Sequence, residues 1–251
     1  MTDDETPGGG SGRVVLVTGG SRGIGLACAR RFQTLGDRVA VTYKTAPPAG
    51  PDPDGAPRLL AVAADVRDPG QIDAAFDRIE KELGPVEVVV ANAGITKDTL
   101  LLRMGEDAWD EVVDTNLSGV YRTAKRALGP MVRARGGRIV IVSSVVGFLG
   151  SAGQVNYAAA KAGLVGLARS LAREVGRRGI TVNVVAPGMV DTDMIATLGE
   201  QRLEQLRSMV PLGRPATADE VAGAVVFLSS ADAGYVTGAV LAVDGGLAMG
   251  L

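Results

Sequence analysis

The sequence predicts an α/β fold: a single-domain, Rossmann-type, doubly wound parallel sheet of about seven strands with helices on both faces. Three observations carry that expectation. Short, almost wholly apolar runs rich in β-branched residues alternate along the chain with helical patterns, as expected of parallel strands covered on both faces. A glycine-rich turn joins the first apolar run to the first helical pattern, which suits close approach of the backbone to a pyrophosphate. A chain of 251 residues, 46% of them apolar, can bury one large α/β core.

Each element follows in order. Residues 1–12, MTDDETPGGGSG, have almost nothing to bury and are expected to form a disordered tail, leaving residues 13–251 as the folded domain. Val14 to Val17 reads as the first strand. The turn Thr18-Gly19-Gly20-Ser21-Arg22-Gly23-Ile24-Gly25 follows, then a helical pattern through about Leu35. The second strand, Arg38 to Tyr43, ends at Lys44. In dinucleotide-binding folds an acid about 20 residues past the glycines accepts from the ribose 2′-hydroxyl of NAD, whereas a cation accommodates the 2′-phosphate of NADP. Lys44 stands where that acid would be, and Arg22 is a second cation within reach, so the expected cofactor is NADPH. The plainer alternative makes Lys44 a solvated strand end.

Residues 45–57, TAPPAGPDPDGAP, hold five prolines and cannot form a regular helix, so a mobile loop is expected in place of a crossover helix. Leu59 to Ala64 is the third strand, with Asp65 and Val66 at its carboxyl end. Gln71 to Leu83 is an amphipathic helix, and Val86 to Val90 a buried strand followed by Asn92-Ala93-Gly94. Trp109 to Leu128 is a long helical pattern with Asn116 inside it, unfavourable there unless its amide is used. Arg138 to Val142 is a strand, and an Ala-rich helix follows it. Ile180 to Val185 leads into Pro187-Gly188-Met189-Val190. Thr192 to about Pro211 has weak periodicity and is a candidate substrate lid. Ala218 to Ser229 is helical, and Ala239 to Val243 is the last strand.

Composition narrows the chemistry. The chain has no histidine and one cysteine, Cys28, which excludes Ser-His-Asp hydrolysis, histidine bases and zinc cages. No metal site is expected, and acid/base work falls to Tyr, Lys, Asp or Glu. A net charge of -2 gives no global attraction to nucleic acid. With no leader pattern and no apolar run long enough to span a bilayer, the expectation is a cytoplasmic protein without membrane contact.

Tyr157 and Lys161 stand four residues apart in the Ala-rich run, so a helix would place them on one face. An ammonium near a phenol stabilises the phenolate and is expected to lower the tyrosine pKa toward working pH. Ser144, at the carboxyl end of the Arg138 to Val142 strand, can direct its hydroxyl at the same oxygen. The plainer reading is a packed tyrosine and a solvated lysine.

With Gly-Gln-Val-Asn before the tyrosine, Ser144, Tyr157 and Lys161 resemble the active site of the short-chain dehydrogenase/reductase family, from about Arg13 to Gly246. The resemblance implies NADPH-dependent carbonyl reduction, with Asn116 as a fourth catalytic residue holding a water that links Lys161 to solvent. It implies that Gly19, Ser21, Arg22, Gly23, Ile24 and Gly25 carry the pyrophosphate, and that Asp65 and Val66 contact the adenine. Asn92, Ala93 and Gly94 would lie along the cofactor; Tyr157 and Lys161 would also bind it. Pro187, Gly188, Val190 and Thr192 would lie by the nicotinamide. The stretches SVVG, GQVNYAAAKAGLVGLARSLAREV and RGITVNVVAPG resemble bacterial 3-oxoacyl-acyl-carrier-protein reductases of fatty-acid synthesis, and Phe148 and Leu149 would suit an acyl chain. Reductases of acetoacetyl-CoA, polyketides or other ketones, and a non-catalytic NADPH-sensing scaffold, remain alternatives. Two arginine groups, Arg133, Arg135 and Arg138, and Arg173, Arg177 and Arg178, end helices, where they also complement the helix dipole. By resemblance Arg135 and Arg178 grip the acidic carrier protein. The family's tetramers imply a homo-oligomer in which Trp109 to Leu128 and Gly153 to Gly176 pack against their copies.

Overall fold

A computed structural model describes residues 12–56, 58–192, 204 and 207–250. The expected tail therefore lies outside the described residues except for Gly12, as does most of the expected lid. One seven-stranded sheet has the order β3-β2-β1-β4-β5-β6-β7, every pair parallel. Its strands are β1 (Val14–Val17), β2 (Arg38–Tyr43), β3 (Leu60–Ala63), β4 (Val88–Ala91), β5 (Gly137–Val142), β6 (Ile180–Pro187) and β7 (Val240–Val243). The strand order reverses between β1 and β4, and such a switch point opens a crevice at the carboxyl ends of the strands.

Parallel strands need crossover connections, and these build a layer on each face. On one face α2 (Pro69–Glu82), α4 (Gly119–Ala134) and α6 (Val155–Val175), the last preceded by the single turn α5 (Val146–Leu149), bury Phe76, Ile79, Met131 and Leu164 against Leu16, Val89, Ile139 and Val182. On the other, α1 (Gly23–Thr34) and α7 (Ala218–Ser229) bury Phe32, Val221, Val225 and Leu228 against Val15, Val39, Val90 and Val140. Each such large side chain, fully buried, contributes about 2–3 kcal/mol.

Local chemistry sets the helix starts. The Asp68 carboxylate accepts from the Gly70 and Gln71 amides ahead of α2, with Pro69 at the first helical position. Thr217 and Glu220 form a reciprocal capping box on α7.

Two expectations need correction. The helix around Asn116 is longer and irregular: α3 (Glu106–Val113) runs through a π turn, Asp114–Ser118, into α4, which continues through Pro130 to Ala134. Proline forfeits one helical bond, but Met131, just beyond it, is fully buried. Residues 45–56 form no helix, as expected, yet the middle of this loop is fastened to α1. Asp52 accepts from Arg30 Nη1 at 2.5 Å and from the buried Gln33 Nε2 at 2.9 Å. No helix among the described residues is long and apolar enough to cross a membrane.

Candidate active site

Every expected cofactor and catalytic residue comes to the carboxyl edge of the sheet. Gly19 follows β1, Lys44 follows β2, Asp65 and Val66 follow β3, Asn92 follows β4, Ser144 follows β5, and Pro187 ends β6 with Gly188 after it. Tyr157 and Lys161 lie in the first two turns of α6.

The glycine turn is shaped by close approach. The Asn92 side-chain amide donates to the Thr18 and Gly19 carbonyls, at 3.0 Å each. A Cβ on Gly25 would lie 2.5 Å from both that amide nitrogen and the Gly19 carbonyl oxygen. Asn92 therefore locks the β1 turn to the β4 turn. No side chain caps the N-terminus of α1, and no acid sits in its first turn. Unpaired N–H groups and the positive helix end fit an anion such as a pyrophosphate. Thr192 closes the far side, its Cγ2 3.5 Å from where a Gly23 Cβ would be, while Val190 is buried beside it.

Lys44 does not simply meet solvent. Its ammonium pairs with Asp65 at 3.1 Å, although its side chain remains 57% exposed. Asp65 also closes a local turn by accepting from the Arg67 amide. Val66 packs under Gly119 at the start of α4.

Asn116 is fully buried in the π turn, and such irregular turns recur at functional sites. Its amide donates to the Ile95 carbonyl at 2.9 Å and accepts from the Ile95 amide at 2.8 Å. The side chain thus fixes the backbone beside Gly94. Space there is tight: a Cβ on Gly94 would lie 3.2 Å from Asn116 Oδ1 and 3.5 Å from Lys161 Nζ.

Lys161 is buried and has no carboxylate partner among the described residues. Its Nζ donates to the Val142 carbonyl at 2.8 Å and lies 5.6 Å from the Tyr157 ring centre. Burial lowers its pKa from 10.5 to about 8 because a buried ammonium loses hydration. Tyr157 departs from expectation in sign. Burial raises its pKa above 10, and the hydrogen bond with Ser144 only partly opposes this. The Asp98 carboxylate raises it further, and no lowering by the Lys161 ammonium offsets the two. A raised value still suits a donor, since Tyr157 keeps its proton at neutral pH and an alkoxide is a stronger base than a phenolate.

A pH test follows from Lys161. The charged form is lost as pH rises through about 8, so kcat/KM for the cofactor, which reports the free enzyme, is expected to fall above that pH. A profile flat to pH 10 would show that the free enzyme does not need the ammonium.

Several site residues escaped the sequence reading. Asn156, fully buried beside Tyr157, donates to the Lys97 and Ala108 carbonyls and accepts from the Tyr157 amide. Ser143 Oγ donates to the Lys161 carbonyl at 2.8 Å. Together they fix the start of α6 beneath the two reactive side chains. The signal was available as two polar residues adjoining Tyr157 and Ser144. Leu100, Leu101 and Leu102 are exposed on the β4–α3 connection, whose Thr99 amide donates to the Gly153 carbonyl. Phe148 is half-buried and Leu149 exposed on the β5–α6 connection, which that hydrogen bond ties to the β4–α3 connection.

The comparisons with known proteins agree with this geometry. A family model described as enoyl-(acyl carrier protein) reductase matches residues 19–248. The chain is 49% identical over 238 residues to 3-oxoacyl-[acyl-carrier-protein] reductase MabA of Mycobacterium avium, covering 95% of this chain and 91% of that protein. It is 47% identical over 240 residues to 3-oxoacyl-[acyl-carrier-protein] reductase FabG of Salmonella typhimurium, and 46% identical over 240 residues to FabG of Escherichia coli; each match covers 95% of this chain and 98% of the relative. With the seven-stranded parallel sheet, the Ser-Tyr-Lys cluster at its carboxyl edge and these matches in hand, the chain is placed in the short-chain dehydrogenase/reductase family of oxidoreductases, which use a nicotinamide cofactor.

Proposed function

We propose that the protein reduces a 3-oxoacyl thioester, carried on acyl carrier protein, to the 3-hydroxyacyl thioester in fatty-acid synthesis, with NADPH as the reductant. The observation that carries this reading is the placing of Ser144, just after β5, and Tyr157, early in α6, close enough for the serine hydroxyl to act on the phenol, beside a buried lysine at the carboxyl edge. Two hydroxyl donors aimed at one point suit a carbonyl oxygen that becomes an alkoxide. The relatives' names supply the substrate class.

The bound cofactor would supply a hydride to the carbonyl carbon. Ser144 and Tyr157 orient the oxygen through their hydroxyls. As negative charge builds there, the Tyr157 O–H bond breaks, its proton goes to the oxygen and the electron pair remains on the phenolate. The Lys161 ammonium stabilises that phenolate, and Asn116 keeps Gly94 clear of it by holding Ile95. The Gly19 to Gly25 turn would bind the pyrophosphate, Asp65 and Val66 would flank the adenine, and Asn92, Ala93, Gly94, Pro187, Gly188, Val190 and Thr192 would line the remainder. Leu149 and the Leu100 to Leu102 ledge would support the acyl chain.

NADPH rather than NADH is supported by cations at Lys44 and Arg22 and by the absence of an acid at the end of β2. Removing both cations should weaken NADPH much more than NADH, since only NADPH carries the 2′-phosphate. Equal losses for the two cofactors, measured as Kd by fluorescence titration, would count against the assignment.

The family model's description names enoyl reduction, which gives a second reading and a direct test. Turnover should be seen with a 3-oxobutanoyl carrier thioester and be absent with the but-2-enoyl one. The reverse result would overturn the carbonyl assignment, and faster turnover of CoA thioesters or cyclic ketones would shift the substrate class. Carrier docking is supported by the arginines ending α4 and α6, which are in no ion pair among the described residues. A homotetramer is supported by the outer faces of α4 and α6. There Tyr121 is half exposed, and a Cβ on Gly166 would meet open space, leaving room for a second copy. No nucleic acid or membrane partner enters this reading, and the setting is the cytoplasm.

A further inference from the structure

Beyond the end of β3 lies a row of alternating charges, of which the assignments above use only Lys44 and Asp65. Lys44 meets Asp65, Asp65 meets Arg67, Arg67 meets Glu111 on α3, and Glu111 meets Lys97 on the β4–α3 connection. Arg67 is its centre. Its Nη2 donates to Asp65 Oδ2 at 2.7 Å and its Nε reaches both carboxylate oxygens at 3.1 Å, while Nη1 donates to Glu111 Oε1 at 3.2 Å. Lys44, by contrast, makes one contact to Asp65 Oδ2 at 3.1 Å from an ammonium whose side chain is 57% exposed.

This inequality matters because Lys44 is asked to serve two anions. A phosphate arriving at the end of β2 must draw the ammonium toward itself, in competition with Asp65. Further acids act on the patch: Asp68 is near enough to feel Asp65, and Asp114 to feel Arg67. With Lys44 as the only counter-charge, Asp65 would both hold the cation and repel the incoming phosphate. Arg67 removes that conflict. Its fork is the largest influence holding the Asp65 carboxyl well below the usual carboxylate range, ahead of Lys44, as expected of a multidentate guanidinium pair against a point charge.

We infer that Arg67 is a cofactor-specificity residue: by neutralising Asp65 it frees Lys44 for the 2′-phosphate, although Arg67 itself need not touch the cofactor. The inference rests on the NADPH reading above and adds to it a positioning residue outside the cofactor contacts. Glu111 holds the guanidinium from the side away from Asp65 and so keeps the fork in place.

The test compares binding of adenosine 2′,5′-bisphosphate and AMP by calorimetry, which needs neither nicotinamide nor turnover. Wild type should prefer the bisphosphate. Arg67→Gln should cut that preference about tenfold, the scale of losing one partly solvated charge several ångströms from a phosphate, with thermal melting used to confirm folding. Arg67→Lys, which keeps the charge, should recover most of the preference. Asp65→Asn/Arg67→Gln should also recover it, since no acid would remain to be neutralised. A purely structural role for Arg67 would change both ligands alike and would not be rescued by removing its partner. A wild type without preference overturns the NADPH reading itself. A wild type that prefers the bisphosphate, with the ratio unchanged in Arg67→Gln or still low in the double variant, overturns the role of Arg67 alone.

Discussion

Replacing Tyr157 by phenylalanine is expected to lower kcat by between about a hundred- and ten-thousand-fold, the range that a positioned general acid supplies. Cofactor affinity should remain within a few-fold of wild type. The reason lies in what the substitution leaves intact. The ring stays in its half-buried place on α6, and Lys161 keeps its bond to the Val142 carbonyl. Ser144 keeps a hydroxyl that can orient the oxygen, but an aliphatic alcohol is too weak an acid to replace the phenol. Only the transferable proton is gone. Loss of one partly exposed hydroxyl costs at most about 1 kcal/mol of stability, too little to unfold the chain. Rapid-mixing measurement of a single turnover with carrier thioester, beside titration of cofactor binding, separates the chemical step from binding. Turnover within a few-fold of wild type would remove Tyr157 from the role of acid.

The parts of this site that were legible in the sequence depend on short-range pattern. β1, β4 and β5 are β-branched apolar runs, and their ends gave the positions of Gly19, Asn92 and Ser144 to within a residue or two. The four-residue spacing of Tyr157 and Lys161 was enough to place both on one helix face. What stayed hidden depends on distant partners or on a balance of opposing energies. The π turn at Asn116 arises where α3 and α4 join against Ile95, 21 residues away, and no periodicity encodes it. The clasp of Asp52 on Gln33 joins a loop to a helix 19 residues earlier, so a proline-rich composition read as unrestrained chain. For Tyr157 the pairing with Lys161 was legible as a spacing, but the effect that dominates its pKa, burial, was not, because desolvation depends on how the 144–157 region packs. Arg67 gave no signal as an isolated arginine; its role comes from Asp65, two residues away, and Glu111, 44 residues away.

Arg135→Glu/Arg178→Glu should abolish turnover of the carrier-bound substrate while leaving reduction of a small carrier-free ketone unchanged. The two arginines are exposed at the ends of α4 and α6. Their groups meet there, since Arg138 on β5 donates to the carbonyl of Gly179 beside Arg178. Arg135 has φ 55, alone among the described non-glycine residues in its positive value. A bulky residue in that conformation costs about 1 kcal/mol or more, which a glycine would avoid, so a functional demand on the guanidinium gives a reason for its presence. Yet both arginines precede parallel strands, β5 and β6, and so lie at the sheet edge opposite Tyr157. The 21-residue length of α6 separates them by about 30 Å at 1.5 Å per residue. A carrier docked there faces the wrong end of its own subunit. If α4 and α6 pack against their copies about a two-fold axis, antiparallel partners bring each arginine group toward the neighbour's cleft. Mixed oligomers of Tyr157→Phe chains and Arg135→Glu/Arg178→Glu chains, verified by differential tags, should therefore recover carrier-dependent turnover, because intact arginines on one subunit would serve an intact tyrosine on the next. A random mixture should regain a substantial fraction of wild-type rate, far above either parent. Verified mixed oligomers with no recovery, alongside an arginine variant that still reduces the small ketone, would refute docking across the subunit boundary and leave the chemistry at Tyr157 untouched.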